Sequence, residues 1–182
     1  MKKNVLVFGL ISGIIVSVFM VCSMAYCAKH PEYESGMSMV VGYAAMLLAL
    51  SLIFVAVKNY RDEYNNGVVT FGKAFQIGLY ISLICSTIYV IVWLFDYYLF
   101  MPDFMDKYAA HMIANAQKSG ATAAELAAKT KEINDMKEMY KNPVMIVLFT
   151  YVEILPVGLI VSLIVAAILN RKTPARNVAV SV

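Results

Sequence analysis

Tyr151-Val-Glu-Ile-Leu-Pro-Val-Gly-Leu-Ile-Val-Ser162 sets one carboxylic acid, Glu153, and one helix-breaking residue, Pro156, inside a stretch otherwise apolar enough to cross a bilayer. With its flanks the stretch runs from Val144 to Leu169, opened by Asn142-Pro143 and stopped by Arg171 and Lys172. A bilayer core takes roughly 20 residues of helix, so this reads as a transmembrane span, and the rest of the chain is read for its companions.

Three are present. Ala74 to Phe95 carries no charge, and Trp93, Tyr97 and Tyr98 gather at one end of it, where aromatic rings mark the headgroup level. Met37 to Val57 is uncharged, and the mixed-charge stretch Lys58-Asn-Tyr-Arg-Asp-Glu-Tyr-Asn-Asn-Gly67 behind it reads as a loop with an Asn-Gly turn. Asn4 to Ala28 follows Lys2 and Lys3. A cleaved signal peptide shares that basic start, but its apolar core runs only about 7–15 residues, and this run is longer. Val21 before Cys22 also does not suit a lipoprotein cleavage site, so the span is expected to be retained.

Composition agrees. Hydrophobic residues make up 61% of the 182, and a water-soluble fold would leave much of that surface wet. The net charge of +3 and the absence of a basic stripe interleaved with aromatics argue against a nucleic-acid partner. Cys22, Cys27 and Cys85 form no paired motif and read as apolar filler, with neither a disulfide framework nor a metal site.

Residues from about Phe100 to Asn142 differ in kind. Six lysines balance six acids there, and Ser119-Gly120 interrupts a helical pattern. Beyond the break, Thr122 and Glu125 fit a capping box, in which each satisfies a free amide at a helix start. Leu126, Ile133 and Tyr140 recur at intervals of seven with Met136 on the same side, and Phe104, Tyr108, Met112 and Ile113 stripe the first arm. The segment reads as a helical hairpin, 103–141, whose apolar faces must meet each other, the bilayer surface or a partner. Leu126, Ile133, Met136 and Tyr140 form the candidate interaction surface.

The expectation is therefore an all-α membrane protein with four transmembrane helices, about 4–28, 37–57, 74–98 and 144–169, and an extracytoplasmic helical hairpin between helices 3 and 4. The spans form one domain, 1–172, followed by a flexible cytoplasmic tail, 173–182. Lys2, Lys3, Lys58, Arg61, Lys73, Arg171, Lys172 and Arg176 lie on the side of the termini, against Lys29 in the short first loop. The positive-inside rule then makes both termini cytoplasmic and turns residues 100–142 outward.

Small residues at four-residue spacing let membrane helices approach closely. Gly9, Gly13 and Ser17 form one such seam, as do Ala74, Gly78, Ser82 and Ser86, and Gly158, Ser162 and Ala166. The second span has the weaker pairs Ser38–Gly42 and Ala45–Ala49. Packing within the bundle or homodimerisation would each use them.

For chemistry the sequence offers little. Glu153 lies roughly 13 Å into its span at 1.5 Å per residue, where a charge costs at least a few kcal/mol, so it calls for protonation, a partner or water. Ser17, Ser86 and Tyr89 are its expected polar partners. Pro156 withholds a donor from the Val152 carbonyl and, with Gly158 behind it, marks the expected kink. Glu153, Pro156 and Gly158 are thus the candidate intramembrane functional residues. Asp96 reads as an interfacial carboxylate reached by water. His30 and His111 make no ligand set, and no nucleophile elbow or phosphate loop occurs. No catalytic, cofactor-binding or metal residue is expected.

Gly42-Tyr-Ala-Ala-Met-Leu-Leu-Ala-Leu-Ser-Leu-Ile-Phe-Val, Lys58-Asn-Tyr-Arg-Asp and Asn66-Gly-Val-Val-Thr-Phe-Gly-Lys-Ala-Phe75 closely resemble the bacterial membrane family called domain of unknown function 4199, and Glu153 to Ile164 looks like that family's C-terminal block. The resemblance runs to about Lys172. It implies a Bacteroidota-type inner membrane and a periplasmic hairpin, and it supplies no activity. The function expected is a non-enzymatic interaction or accessory role in the bilayer, with a membrane or periplasmic protein partner or a homo-oligomer. The alternative is a small transporter or channel-like oligomer using Glu153 beside Pro156.

Overall fold

The computed structural model describes residues 1–29 and 36–170. His30, Pro31, Arg171, Lys172, Arg176 and the expected tail 173–182 lie outside the described residues.

Backbone in hydrocarbon must satisfy its own amides, so each uncharged run winds into helix. The order is α1 (Lys2–Lys29), α2 (Gly36–Leu50), α3 (Leu52–Asn59), α4 (Phe71–Leu99), α5 (Phe104–Lys118), α6 (Ala123–Met139) and α7 (Pro143–Leu169). Four stretches are long and apolar enough to cross a membrane: Lys2–Cys27, Val40–Tyr64, Phe71–Leu99 and Pro143–Leu169. The protein is all-α, with four membrane-spanning candidates and the expected pair α5–α6 between the third and fourth.

The second span departs from the uniform run read in the sequence. It steps at Ser51, whose hydroxyl donates to the Leu48 carbonyl at 2.6 Å. It then continues past Val57 through the stretch expected as loop, closing in a π-helical turn, Tyr60–Tyr64. Its charges are no obstacle, because Arg61 Nε donates to Asp62 Oδ1 at 2.6 Å and the Tyr60 and Tyr64 rings stack at 6.5 Å. The turn itself falls at Asn66-Gly67, with left-handed φ of 51° and 78°, a conformation glycine and asparagine tolerate. Gly67 N–H then donates to the Arg61 carbonyl at 2.8 Å.

The chain packs as two compact units, residues 1–89 with the chain from Ile154 onward, and residues 90–153. In the first unit, α1 is tied to the second span by Asn4 Nδ2, which donates to the Ala56 carbonyl, and Ser12 Oγ, which donates to the Ala49 carbonyl, both at 3.0 Å. Gly9 and Gly13 admit the fourth helix: a Cβ on either would stand 2.9 and 2.6 Å from Ile84 and Ile88 side chains. The tightest contact joins α4 to α7. A Cβ on Gly78 would meet Ser162 Oγ at 2.5 Å, and one on Gly158 would meet Ser82 Oγ at 2.5 Å. Each hydroxyl turns back on its own helix, Ser82 Oγ donating to the Gly78 carbonyl (2.9 Å) and Ser162 Oγ to the Gly158 carbonyl (2.6 Å). These seams are filled within the chain, whereas Gly42 meets nothing.

In the second unit, Met105 of α5 and Ile133 of α6 are buried, and Lys137 of α6 pairs with Asp106 of α5. Gly120 takes a left-handed φ of 77° between the arms. The capping box forms as read: Glu125 N–H donates to Thr122 Oγ1 at 3.3 Å and Thr122 N–H to Glu125 Oε2 at 2.8 Å. That backbone donor holds the Glu125 carboxyl below the usual carboxylate range. Asn142 caps α7, its Oδ1 accepting from Val144 N–H at 2.9 Å, with Pro143 in the first helical position it favours.

Candidate functional site

Glu153 lies on α7 roughly 15 Å along the helix from Pro143. Its side chain is exposed. Val152, 68% exposed, and Ile160, 58% exposed, share that flank with Pro156, while Ile154, Gly158 and Ser162 are buried. Helix geometry explains the division: residues three apart lie about 60° round the axis and residues five apart about 140°. The expected trio is thereby split. Glu153 and Pro156 point outward, and Gly158 is occupied against Ser82. The helix runs on through Pro156, which brings no N–H to the Val152 carbonyl.

The residues expected as polar partners belong to the other unit. Ser17 and Ser86 are buried there, each hydroxyl without a hydrogen-bond partner among the described residues, and Tyr89 is buried as well.

What stands beside Glu153 within its own unit is aromatic. Phe149, one turn toward Pro143, stacks on Tyr140 at 5.6 Å with ring planes 10° apart. Tyr140 reaches Tyr97 at 6.1 Å, and Tyr97 meets Trp93 at 6.0 Å and Phe104 at 6.3 Å. Trp93 and Phe104 close the file edge to face at 5.0 Å. Glu153 has Phe149 one turn N-terminal to it, the direction in which helical side chains generally lean. Its charge is felt at Tyr140: burial pushes that phenol up to about 12, and Glu153 adds to the shift ahead of Tyr97 and Tyr108. This file was missed in the sequence because its members sit on both sides of the Asn142-Pro143 turn, across which no helical period runs.

The residues of the hairpin stripe differ in exposure. Ile133 is 2% exposed, Leu126 and Met136 are half-buried, and Tyr140 belongs to the file. Asp96 also differs from the water-reached carboxylate expected. It is 7% exposed, and its Oδ2 has no partner among the described residues. The cause is register, since Asp96 continues the buried line of Tyr89 and Trp93 on α4. His111, on α5, has Nε2 2.7 Å from Asn115 Nδ2.

The arrangement gives one outward carboxyl at membrane depth with an aromatic wall on one side. Such a group holds a proton, accepts a hydrogen bond or pairs with a cation. A family model described as "Protein of unknown function (DUF4199)" matches residues 7–171. No curated protein matches, and no solved structure matches.

Proposed function

The chain belongs to the DUF4199 family of proteins of unknown function, and from that membership and the outward carboxyl on α7 we infer a membrane protein that works by interaction and performs no catalysis. It serves as an accessory subunit of a bacterial inner membrane, with both termini cytoplasmic and the α5–α6 hairpin periplasmic. The excess of lysine and arginine on the side of the termini supports that orientation.

One observation carries the reading: Glu153 is exposed on a span whose neighbouring exposed residues, Val152 and Ile160, are apolar. Left to lipid, a charged carboxyl costs a few kcal/mol. A partner helix supplying a donor removes that cost, and the Val152 carbonyl freed by Pro156 offers a second acceptor on the same flank. The test is the mass of the complex recovered after cross-linking in intact membranes. Glu153→Gln, which still accepts a hydrogen bond, keeps the complex, and Glu153→Leu loses it. A complex indifferent to Glu153→Leu contradicts the reading.

A second reading, a small transporter or channel-like oligomer, is favoured by the aromatic file that ends one turn from Glu153. It requires titration, so Glu153→Gln would abolish flux into liposomes.

A further inference from the structure

We propose that Glu153, Phe149 and Tyr140 form a binding site for a hydrophobic organic cation, entered sideways from the bilayer. The proposal rests on the second reading above and names the class of its solute.

Three observations converge. Glu153 is exposed on the flank it shares with Val152, Pro156 and Ile160, away from the packed flank of Ile154 and Gly158. Phe149 lies one turn away and its ring is braced in parallel on Tyr140 at 5.6 Å, while Tyr140 is held in turn by Tyr97 at 6.1 Å. Two stacked rings beside a carboxylate offer a cation both a charge and π faces, which attract cations within about 6 Å.

The ligand class follows by elimination on chemistry. An anion finds no lysine or arginine on α7 from Pro143 to Leu169, and Lys141 and Lys137 beside Tyr140 are already paired with Glu138 and Asp106. A small inorganic ion would shed its water for a single carboxyl group, where hard cations take six or more oxygens. A neutral apolar molecule gains nothing from the carboxylate. A cation with a bulky apolar body partitions into the bilayer by itself, meets Glu153 there, and lays its apolar groups on Phe149 and Val152.

The experiment is equilibrium binding of radiolabelled tetraphenylphosphonium to the full chain in lipid nanodiscs, with the melting temperature of each variant recorded alongside. The expected result is saturable binding, weakened about tenfold or more by Glu153→Gln and severalfold by Tyr140→Leu. Glu153→Asp, which keeps the charge, retains binding, and triphenylphosphine oxide, which is neutral, does not compete. Absence of saturable binding by folded wild-type protein overturns the site, as does equal binding by folded Glu153→Gln. If wild type binds no cation yet loses its cross-linked partner on Glu153→Leu, the cation site fails and the interaction reading stands. Binding without flux supports the site and removes transport.

Discussion

The α4–α7 seam and the aromatic file hold helices by opposite means. At the seam glycine meets serine: Gly78 faces Ser162 and Gly158 faces Ser82, each hydroxyl donating to its own helix and the two oxygens standing 3.4 Å apart. In the file, ring follows ring from Trp93 and Phe104 through Tyr97 to Tyr140 and Phe149. The reason is the solvent. Hydrocarbon gives apolar side chains no drive to associate with one another, so helices deep in the bilayer gain from closeness, which small residues permit. Rings instead gain from stacking on one another, about 0.5–1.5 kcal/mol per pair. A seam of this kind excludes any enlargement, while a file of rings loses stability in graded steps.

The largest effect should come from breaking the seam. Gly158→Val places a Cβ 2.5 Å from Ser82 Oγ and 2.7 Å from Ser82 Cβ, an overpacking that costs about 3 kcal/mol or prevents assembly. Thermal unfolding in nanodiscs reads the loss. Because the clash is with one residue, Gly158→Ala combined with Ser82→Gly should recover most of what Gly158→Ala alone removes, and non-additivity of the pair measures the contact directly. Next comes the file: Phe149→Ala should cost about 2 kcal/mol, with Tyr140→Ala coupled to it by about 1 kcal/mol, because the two rings share one stack. Hydrogen exchange should show the loss over α6 and the start of α7 and leave the α4–α7 seam protected. A uniform loss of protection would contradict the division into two kinds of packing.

A smaller effect separates site from scaffold. Glu153 is exposed and takes no part in the seam, so Glu153→Gln should change stability by no more than about 0.5 kcal/mol while altering whatever Glu153 meets. The smallest effect is in the pH profile. The Tyr140 phenol ionises near 12 in the folded chain against 10.0 for the unperturbed group. Its folded pKa is raised, so its contribution is whole below pH 10 and is lost as pH climbs from 10 toward 12. Ultraviolet titration should show a late-ionising tyrosine component that is smaller by one residue in Tyr140→Phe; early ionisation of every tyrosine would place Tyr140 outside the file.

Most of the fold was legible in the sequence because membrane helices announce themselves by length and absence of charge. The capping box of Thr122 and Glu125 and the turn at Asn66-Gly67 were equally readable, since each is local chemistry at fixed spacing. The seams were visible as small residues at four-residue intervals, but spacing alone does not say which helix fills them. Gly158 shows the limit. The sequence placed it both beside Glu153 and Pro156 and in the seam with Ser162 and Ala166, and helix rotation puts it on the packed flank. Asp96 was misread because aromatic neighbours at a span's end suggested water, while its register after Tyr89 and Trp93 carried it into the packed line. The continuation of the second span through Arg61 was hidden because the neutralising partner, Asp62, stands next to it and looks like loop charge. The aromatic file draws on α4, the hairpin and the start of α7, and no single period connects those.

The most direct measurement is photo-cross-linking in intact membranes from a benzophenone side chain at position 160, on the flank that carries Glu153. A protein that works by interaction through this flank gives one discrete protein adduct in the wild-type background, retained in Glu153→Gln and lost in Glu153→Leu. Adducts to lipid alone, or a protein adduct unchanged by Glu153→Leu, would contradict it.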